Sequence, residues 1–149
     1  SPGPAQTELI QAHQLSLATY ICYEIVYGDR VAKASRRANA LLTISNDAWF
    51  GRSIGPHQHF QIARMRALET ARPLIRATGT GISALVDHKG QSIQQLPQHR
   101  RSVLNGRIQG RRGDTPYARI GSTPVWLLSA TALLISLLSA GQIGRTNRR

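Results

Sequence analysis

The stretch from Leu15 to Glu24 constrains this chain more than any other. Residues 15–21 alternate with a period of two, which is the pattern of a β-strand. The pattern stops at Cys22, the only cysteine of the chain, so the sequence predicts a thiol at the carboxyl end of a strand. A strand end suits a reactive group, because the sheet holds it while the following loop exposes it. Lone cysteines are most often inert core residues, so position alone leaves both interpretations open.

The charge balance is strongly basic, with 19 Lys and Arg against 7 Asp and Glu in 149 residues. This length suits one modest domain, and a single cysteine excludes an internal disulfide. A positive excess favours an anionic partner, which is either a membrane surface or nucleic acid. We favour the membrane, because the arginines are dispersed, aromatic residues are few and no nucleic-acid-binding motif is present.

Hydrophobic periodicity and turn residues predict the other elements. Residues 29–39 are polar and basic, which predicts a surface connection or a short helix. Pro56 suits the first position of a helix and Pro73 ends it. The pattern predicts a helix at 57–72, strands at 40–45, 74–77, 82–86, 91–96 and 102–108, and loops at 1–11 and 46–56.

The carboxyl-terminal segment differs in kind, because no charged residue lies between Arg119 and Arg145. Residues 125–143 are mainly apolar, and their length approaches the roughly 20 residues that cross a bilayer core. Trp126 stands at one end, as an interfacial aromatic residue would. The sequence predicts a transmembrane helix at 124–143, and a buried amphipathic helix is the alternative.

Two further features concern possible binding residues. Trp49 and Phe50 stand in a loop that Gly51 closes, where the pair can plug the core or form a lip for an apolar ligand. The residues alone favour the plug. His57 and His59 are two positions apart and point to different sides of a helix start, so they make a poor metal pair and we predict no metal site.

Short runs along the chain carry a more specific signal. They are Ile21–Glu24, 43–51, 55–59, 63–69, 71–73, 80–84 and 115–119. Together with the terminal apolar segment, these runs resemble in order the apolipoprotein N-acyltransferases, which are membrane members of the nitrilase superfamily of carbon–nitrogen hydrolases. The resemblance implies an α/β fold: a partial nitrilase-like αββα sandwich followed by one transmembrane helix. It divides the chain into catalytic domain (1–109), linker (110–123), helix (124–143) and basic tail (144–149).

The resemblance also implies a reaction and the residues that perform it. Family members move an acyl chain from a phospholipid to the amino-terminal amine of a diacylglyceryl-cysteine apolipoprotein. By match to the family, Cys22 forms the thioester, the backbone N–H of Tyr23 helps to bind the oxyanion and Glu24 supports the site. Trp49, with Phe50, belongs to the substrate-facing loop, and no cofactor is implied.

The same resemblance implies partners and a location. The partners are a phospholipid acyl donor, an apolipoprotein acceptor and a membrane, without nucleic acid. The location is the bacterial inner membrane, with the catalytic part on the periplasmic side.

The family's base glutamate and oxyanion lysine precede the nucleophile, and no residue of this chain matches either. We therefore expect the chain to be the carboxyl-terminal part of such an enzyme and to be inactive alone. Two alternatives stay open at this point: a soluble nitrilase-type amidase, and a non-catalytic membrane-anchored remnant.

Overall fold

The computed structural model describes residues 9–146, with side chains described as far as residue 139. Its centre is a six-stranded sheet whose strands follow one another in chain order. The strands are β1 (Leu9–Ala12), β2 (Leu15–Ile21), β3 (Ala40–Ser45), β4 (Leu74–Thr78), β5 (Ala84–Val86) and β6 (Ser92–Gln95). The helices are α1 (Gly28–Ser35), α2 (Gly55–Thr70), α3 (Pro116–Ile120) and α4 (Thr123–Thr146).

The sheet is mixed, and its middle is parallel. β2, β3 and β4 run parallel, whereas β1 pairs with β2, and β5 with its two neighbours, in antiparallel fashion. Each parallel connection contains one helix, α1 or α2, and the right-handed rule for such connections places both helices on the same face. The carboxyl ends of the parallel strands therefore meet at one edge of the sheet, where Cys22 follows β2.

The core lies between this face of the sheet and helices α1 and α2. Its members are small and branched side chains that fill the space between the layers, together with one phenol and one phenyl ring. They include Ala18, Tyr20, Ile25, Val31, Leu41, Phe60, Ala63, Ala67 and Leu74. Burial raises the pKa of the Tyr20 phenol above its ordinary value.

The opposite face of the sheet keeps large apolar side chains in contact with solvent. Ile10, Ile21 and Ile44 are 49%, 68% and 50% exposed, although each projects from a strand. Residues 9–139 thus supply one sheet and one helical layer, which is half of the predicted αββα arrangement.

Several predicted elements are confirmed, and two predictions need correction. The strand at 40–45, the strand that ends before Cys22 and the helix bounded by Pro56 and Pro73 are all present. The loop predicted at 1–11 is wrong for residues 9–11, because these pair with β2 as an edge strand, and residues 1–8 lie outside the described range.

The strand predicted at 102–108 is also wrong. This segment crosses the open face of the sheet instead of extending its edge, and a Cβ at Gly106 would overlap the Leu85 side chain. The absence of a Cβ there allows the close approach. Further along, the Arg111 N–H donates to the Asn39 carbonyl at 2.8 Å, which ties the segment to the end of the sheet near β3.

The transmembrane helix predicted at 124–143 is not supported. A helix is present there as α4, but among the described residues no helix is long and apolar enough to cross a membrane. The side chains of residues 140–146, and residues 147–149 altogether, lie outside the part that the structure describes. Of the basic tail predicted at 144–149, only the helical backbone of residues 144–146 is described.

Candidate active site

Cys22 has a backbone conformation that residues other than glycine rarely adopt. Its φ is +52°, and it begins a 3₁₀ turn, Cys22–Val26, directly after β2. A left-handed conformation at a residue other than glycine costs about 1–3 kcal/mol, so the surrounding structure must hold it in place. Strain of this kind makes Cys22 a candidate functional residue.

Two side chains hold the backbone around Cys22. Glu24 Oε2 accepts a hydrogen bond from the Ile21 N–H at 2.8 Å, which joins the end of β2 to the 3₁₀ turn. His59 Nε2 lies 3.2 Å from the Cys22 carbonyl oxygen. Ser45 Oγ lies 3.8 Å from Cys22 Sγ, so the thiol faces the end of the neighbouring strand. The thiol is half-buried, which leaves it accessible to a substrate.

The thiol faces a pocket of about 680 Å³ at the edge of the sheet. Its lining is mainly apolar and comprises Ile21, Cys22, Ile44, Ser45, Asn46, Ala48 and Trp49. Asn46 Oδ1 accepts a hydrogen bond from the Ala48 N–H at 3.2 Å, a local turn that starts the 3₁₀ turn Ala48–Phe50 and positions Trp49 beside the thiol.

The two aromatic side chains of this loop, Trp49 and Phe50, lie in different environments. Trp49 is 84% exposed and lines the pocket, so the plug interpretation is wrong for it and the lip interpretation is supported. Phe50 does not line that pocket. Its ring instead packs against Gly55 and lies 6.3 Å from the His59 ring, centroid to centroid.

A buried polar cluster lies beneath the thiol. Asp47, His59 and Arg76 are 1%, 3% and 2% exposed. Arg76 Nη2 donates to Asp47 Oδ2 at 2.9 Å, and His59 Nδ1 lies 3.0 Å from Asp47 Oδ1. Ser45 Oγ donates to Asp47 Oδ1 at 2.5 Å. Burial lowers the pKa of the Arg76 guanidinium, and the Asp47 carboxylate opposes that shift.

Sequence reasoning did not find this cluster, although one signal was available. Arg76 interrupts an otherwise apolar strand, Leu74–Thr78, and its two flanking residues point to the other face. A charged side chain on the core face of a central strand requires a buried counter-charge. Asp47 is that counter-charge, but 29 positions separate the two residues, so the pairing is visible only in the fold.

Comparison with known proteins agrees with this architecture. Residues 1–117 match the model of the carbon–nitrogen hydrolase family. The chain belongs to this family. Among solved structures, a carbon–nitrogen hydrolase of Helicobacter pylori G27 superposes with a TM-score of 0.59 at 17% identity, over 66% of this chain and 42% of that one. A Nesterenkonia amidase of the nitrilase superfamily superposes with 0.56 at 21% identity, over 66% and 40%. The nitrilase-like α/β fold is therefore confirmed.

The resemblance to apolipoprotein N-acyltransferases is confirmed by curated relatives. The enzyme of Photobacterium profundum is 48% identical over 130 residues, which are 87% of this chain and 25% of the relative. That of Pseudomonas putida is 46% identical over 144 residues, 97% of this chain and 28% of the relative. This carbon–nitrogen hydrolase chain thus spans about a quarter of the length of the relatives that it matches.

The loop after β4 approaches Asp47 closely, and this yields a test of the cluster. A Cβ at Gly81 would overlap the Asp47 carboxylate, whereas one at Gly79 would lie 3.5 Å from Asn46 Oδ1, an ordinary contact. We expect Gly81→Ala to displace Asp47 and to lower the free energy of unfolding by about 1–3 kcal/mol. The matched Gly79→Ala change should alter it by less than about 1 kcal/mol. Denaturant unfolding of both variants checks this, and equal midpoints would contradict it.

Proposed function

We propose that this chain carries the nucleophile of an apolipoprotein N-acyltransferase and is the carboxyl-terminal part of its catalytic domain. The observation that carries the proposal is a strained, half-buried Cys22 that faces an apolar pocket walled by an exposed Trp49. Apolar walls beside a nucleophile suit an acyl chain. Identities of 44–48% to relatives of that name support the same reaction class.

The chemistry proceeds in two steps that share one sulfur. The Cys22 thiol gives its proton to a base, and Sγ attacks the ester carbonyl of a phospholipid. A C–S bond forms, the ester C–O bond breaks and a lysophospholipid leaves with a proton. The amino-terminal amine of the apolipoprotein then attacks the thioester, a C–N bond forms, the C–S bond breaks and the thiol is restored. Covalent catalysis thus replaces one difficult transfer with two easier ones.

Residues next to Cys22 take supporting roles in this proposal. The backbone N–H of Tyr23 binds the oxyanion of each tetrahedral intermediate, which is the largest electrostatic contribution available at this position. Glu24 acts on the backbone, since its carboxylate holds the Ile21 N–H at the end of β2. The base glutamate and the lysine that the family uses come from outside this chain, so we propose that the chain alone is inactive.

The size and the apolar lining of the pocket suit the acyl chain of a phospholipid. A volume of about 680 Å³ lies within the range of about 300–1,000 Å³ for ligand sites. We propose that it receives the acyl chain, with the phospholipid as donor and the apolipoprotein as acceptor. A phospholipid donor supports the bacterial inner membrane as the proposed location, and the resemblance implies that the catalytic part lies on the periplasmic side.

The test uses the natural full-length polypeptide that contains this chain, mixed with phospholipid that carries a labelled acyl chain. We expect a hydroxylamine-sensitive label on the peptide that contains Cys22, and loss of that label when a diacylglyceryl-cysteine peptide is added. Release of ammonia from short amides without any uptake from phospholipid would instead identify an amidase and overturn the proposal.

Trp49 provides a test of the pocket. We expect Trp49→Ala to raise the KM for long-chain phospholipid roughly tenfold, because a removed indole leaves the acyl chain partly in water. The fold should be unaffected, since the side chain is 84% exposed. Trp126→Ala is the matched control, because Trp126 is 71% exposed on α4, and its KM should stay at the wild-type value. Steady-state kinetics of both variants measures this KM. An equal change in the two variants would contradict the proposal that Trp49 lines the acyl-chain pocket.

A further inference from the structure

His59 is the only polar side chain described here that joins the buried cluster to the backbone of Cys22. Its Nδ1 lies 3.0 Å from Asp47 Oδ1, and its Nε2 lies 3.2 Å from the Cys22 carbonyl oxygen. The charged groups around the ring are Asp47 and Arg76, whose Nη2 lies 3.2 Å from Nδ1, and the Tyr23 and Phe50 rings flank it. Because a carbonyl oxygen only accepts, this contact requires the proton on Nε2, and in the neutral ring Nδ1 then accepts from Arg76 Nη2.

The contact has a consequence for the next residue. In a trans peptide the carbonyl of one residue and the N–H of the next point in opposite directions. Because His59 lies in the interior and draws the Cys22 carbonyl toward itself, the Tyr23 N–H points away from the interior. An N–H held in that direction beside an accessible sulfur is in the place that a developing oxyanion requires.

Several hydrogen bonds hold Asp47 and Arg76, the two residues that contact His59 Nδ1. Asp47 Oδ1 is within hydrogen-bond distance of His59 and Ser45, and Asp47 Oδ2 accepts from Arg76. Arg76 in turn donates from Nε to the Ile82 carbonyl at 3.2 Å. The imidazole is thus fixed by contacts to β4 and to the loop after β3, two elements that do not include the nucleophile itself.

We propose that His59 is a positioning residue: through the Cys22 carbonyl it orients the Tyr23 N–H toward the oxyanion, with Asp47 and Arg76 fixing its ring. The inference rests on the proposed function only in requiring that Cys22 attacks a carbonyl group. His59 itself touches no reacting atom. Its removal should therefore slow reactions that pass through an oxyanion and spare those that do not.

Two variants separate the two contacts of the ring. A glutamine amide nitrogen stands where Nε2 stands, so His59→Gln keeps the donor to the Cys22 carbonyl. An asparagine side-chain amide stands where Nδ1 stands, so His59→Asn keeps a hydrogen-bonding group beside Asp47 and Arg76 and loses the carbonyl contact. Both variants lose one of two hydrogen bonds, which makes them matched controls for each other in stability.

The experiment compares two reactions of Cys22 in the natural full-length polypeptide. Acylation by a p-nitrophenyl ester passes through an oxyanion, whereas alkylation by iodoacetamide is a displacement that forms none. We expect His59→Asn to slow acylation roughly 10- to 100-fold while alkylation changes less than about twofold. His59→Gln should retain acylation within about threefold of wild type.

Other results would overturn the inference. They are equal loss of acylation in the two variants, parallel loss of acylation and alkylation, and a wild-type protein whose Cys22 takes no acyl group from the ester. A protein that accepts acyl groups from the ester but never from phospholipid, and whose His59→Asn variant shows the selective loss, would sink the proposed function and support the positioning role.

Discussion

Replacing Cys22 with serine is expected to lower the rate of acyl transfer roughly 10³-fold or more, because loss of a catalytic nucleophile has one of the largest effects on rate that a single substitution can have. A serine hydroxyl is far less acidic than a thiol. The nearby imidazole cannot compensate, since His59 Nε2 is directed at the Cys22 carbonyl oxygen. The measurement is the amount of hydroxylamine-sensitive acyl label on the protein, followed by transfer to a diacylglyceryl-cysteine peptide.

The control for this change is the unfolding midpoint of the same variant. Serine is nearly isosteric with cysteine, and residue 22 is only half-buried, so the midpoint should move by no more than about 3 °C. Transfer by Cys22→Ser at a rate near that of wild type would show that another group carries the acyl chain.

Replacing Arg76 with methionine is expected to lower the free energy of unfolding by about 3–5 kcal/mol. The change leaves the Asp47 carboxylate, whose side chain is fully buried, without its guanidinium partner at 2.9 Å. An uncompensated charge in the interior costs far more than the lost attraction. The midpoint of thermal unfolding should fall by roughly 6–20 °C for a chain of this size.

Two companion variants test that explanation. Arg52→Met removes the same charge from an exposed position and should alter the free energy of unfolding by less than about 0.5 kcal/mol. Asp47→Asn combined with Arg76→Met removes both charges and should recover part of the loss. A double variant no more stable than Arg76→Met, or an equal loss in Arg52→Met, would show that the buried charge is not the cause.

The features found from the sequence are those that local pattern controls. The alternation before Cys22, the run 40–45 and the prolines around α2 each act within a few positions of the chain, so they mark strands and a helix without knowledge of their neighbours. The resemblance motifs added the family and the likeness of Cys22 to its nucleophile. The division at 109 and 123 and the roles of Tyr23 and Glu24 stay predictions.

The wrong predictions concern residues whose environment depends on contacts with distant parts of the chain. Residues 9–11 look like a loop until they pair with β2, and residues 102–108 look like a strand until they cross the open face. Trp49 looks like a core residue until the loop turns it outward. In each case the residue types are compatible with two environments, and contacts with residues far away in the sequence determine which one is found.

The amino-acid order alone establishes where strands and helices begin, because steric and hydrophobic preferences act over a few neighbouring residues. It also places a thiol after β2. It does not bring Asp47, His59 and Arg76 together beneath that thiol. Their contact follows from the parallel pairing of β3 with β4 and from the packing of α2 on the sheet, and such long-range burial is an outcome of the whole folded chain.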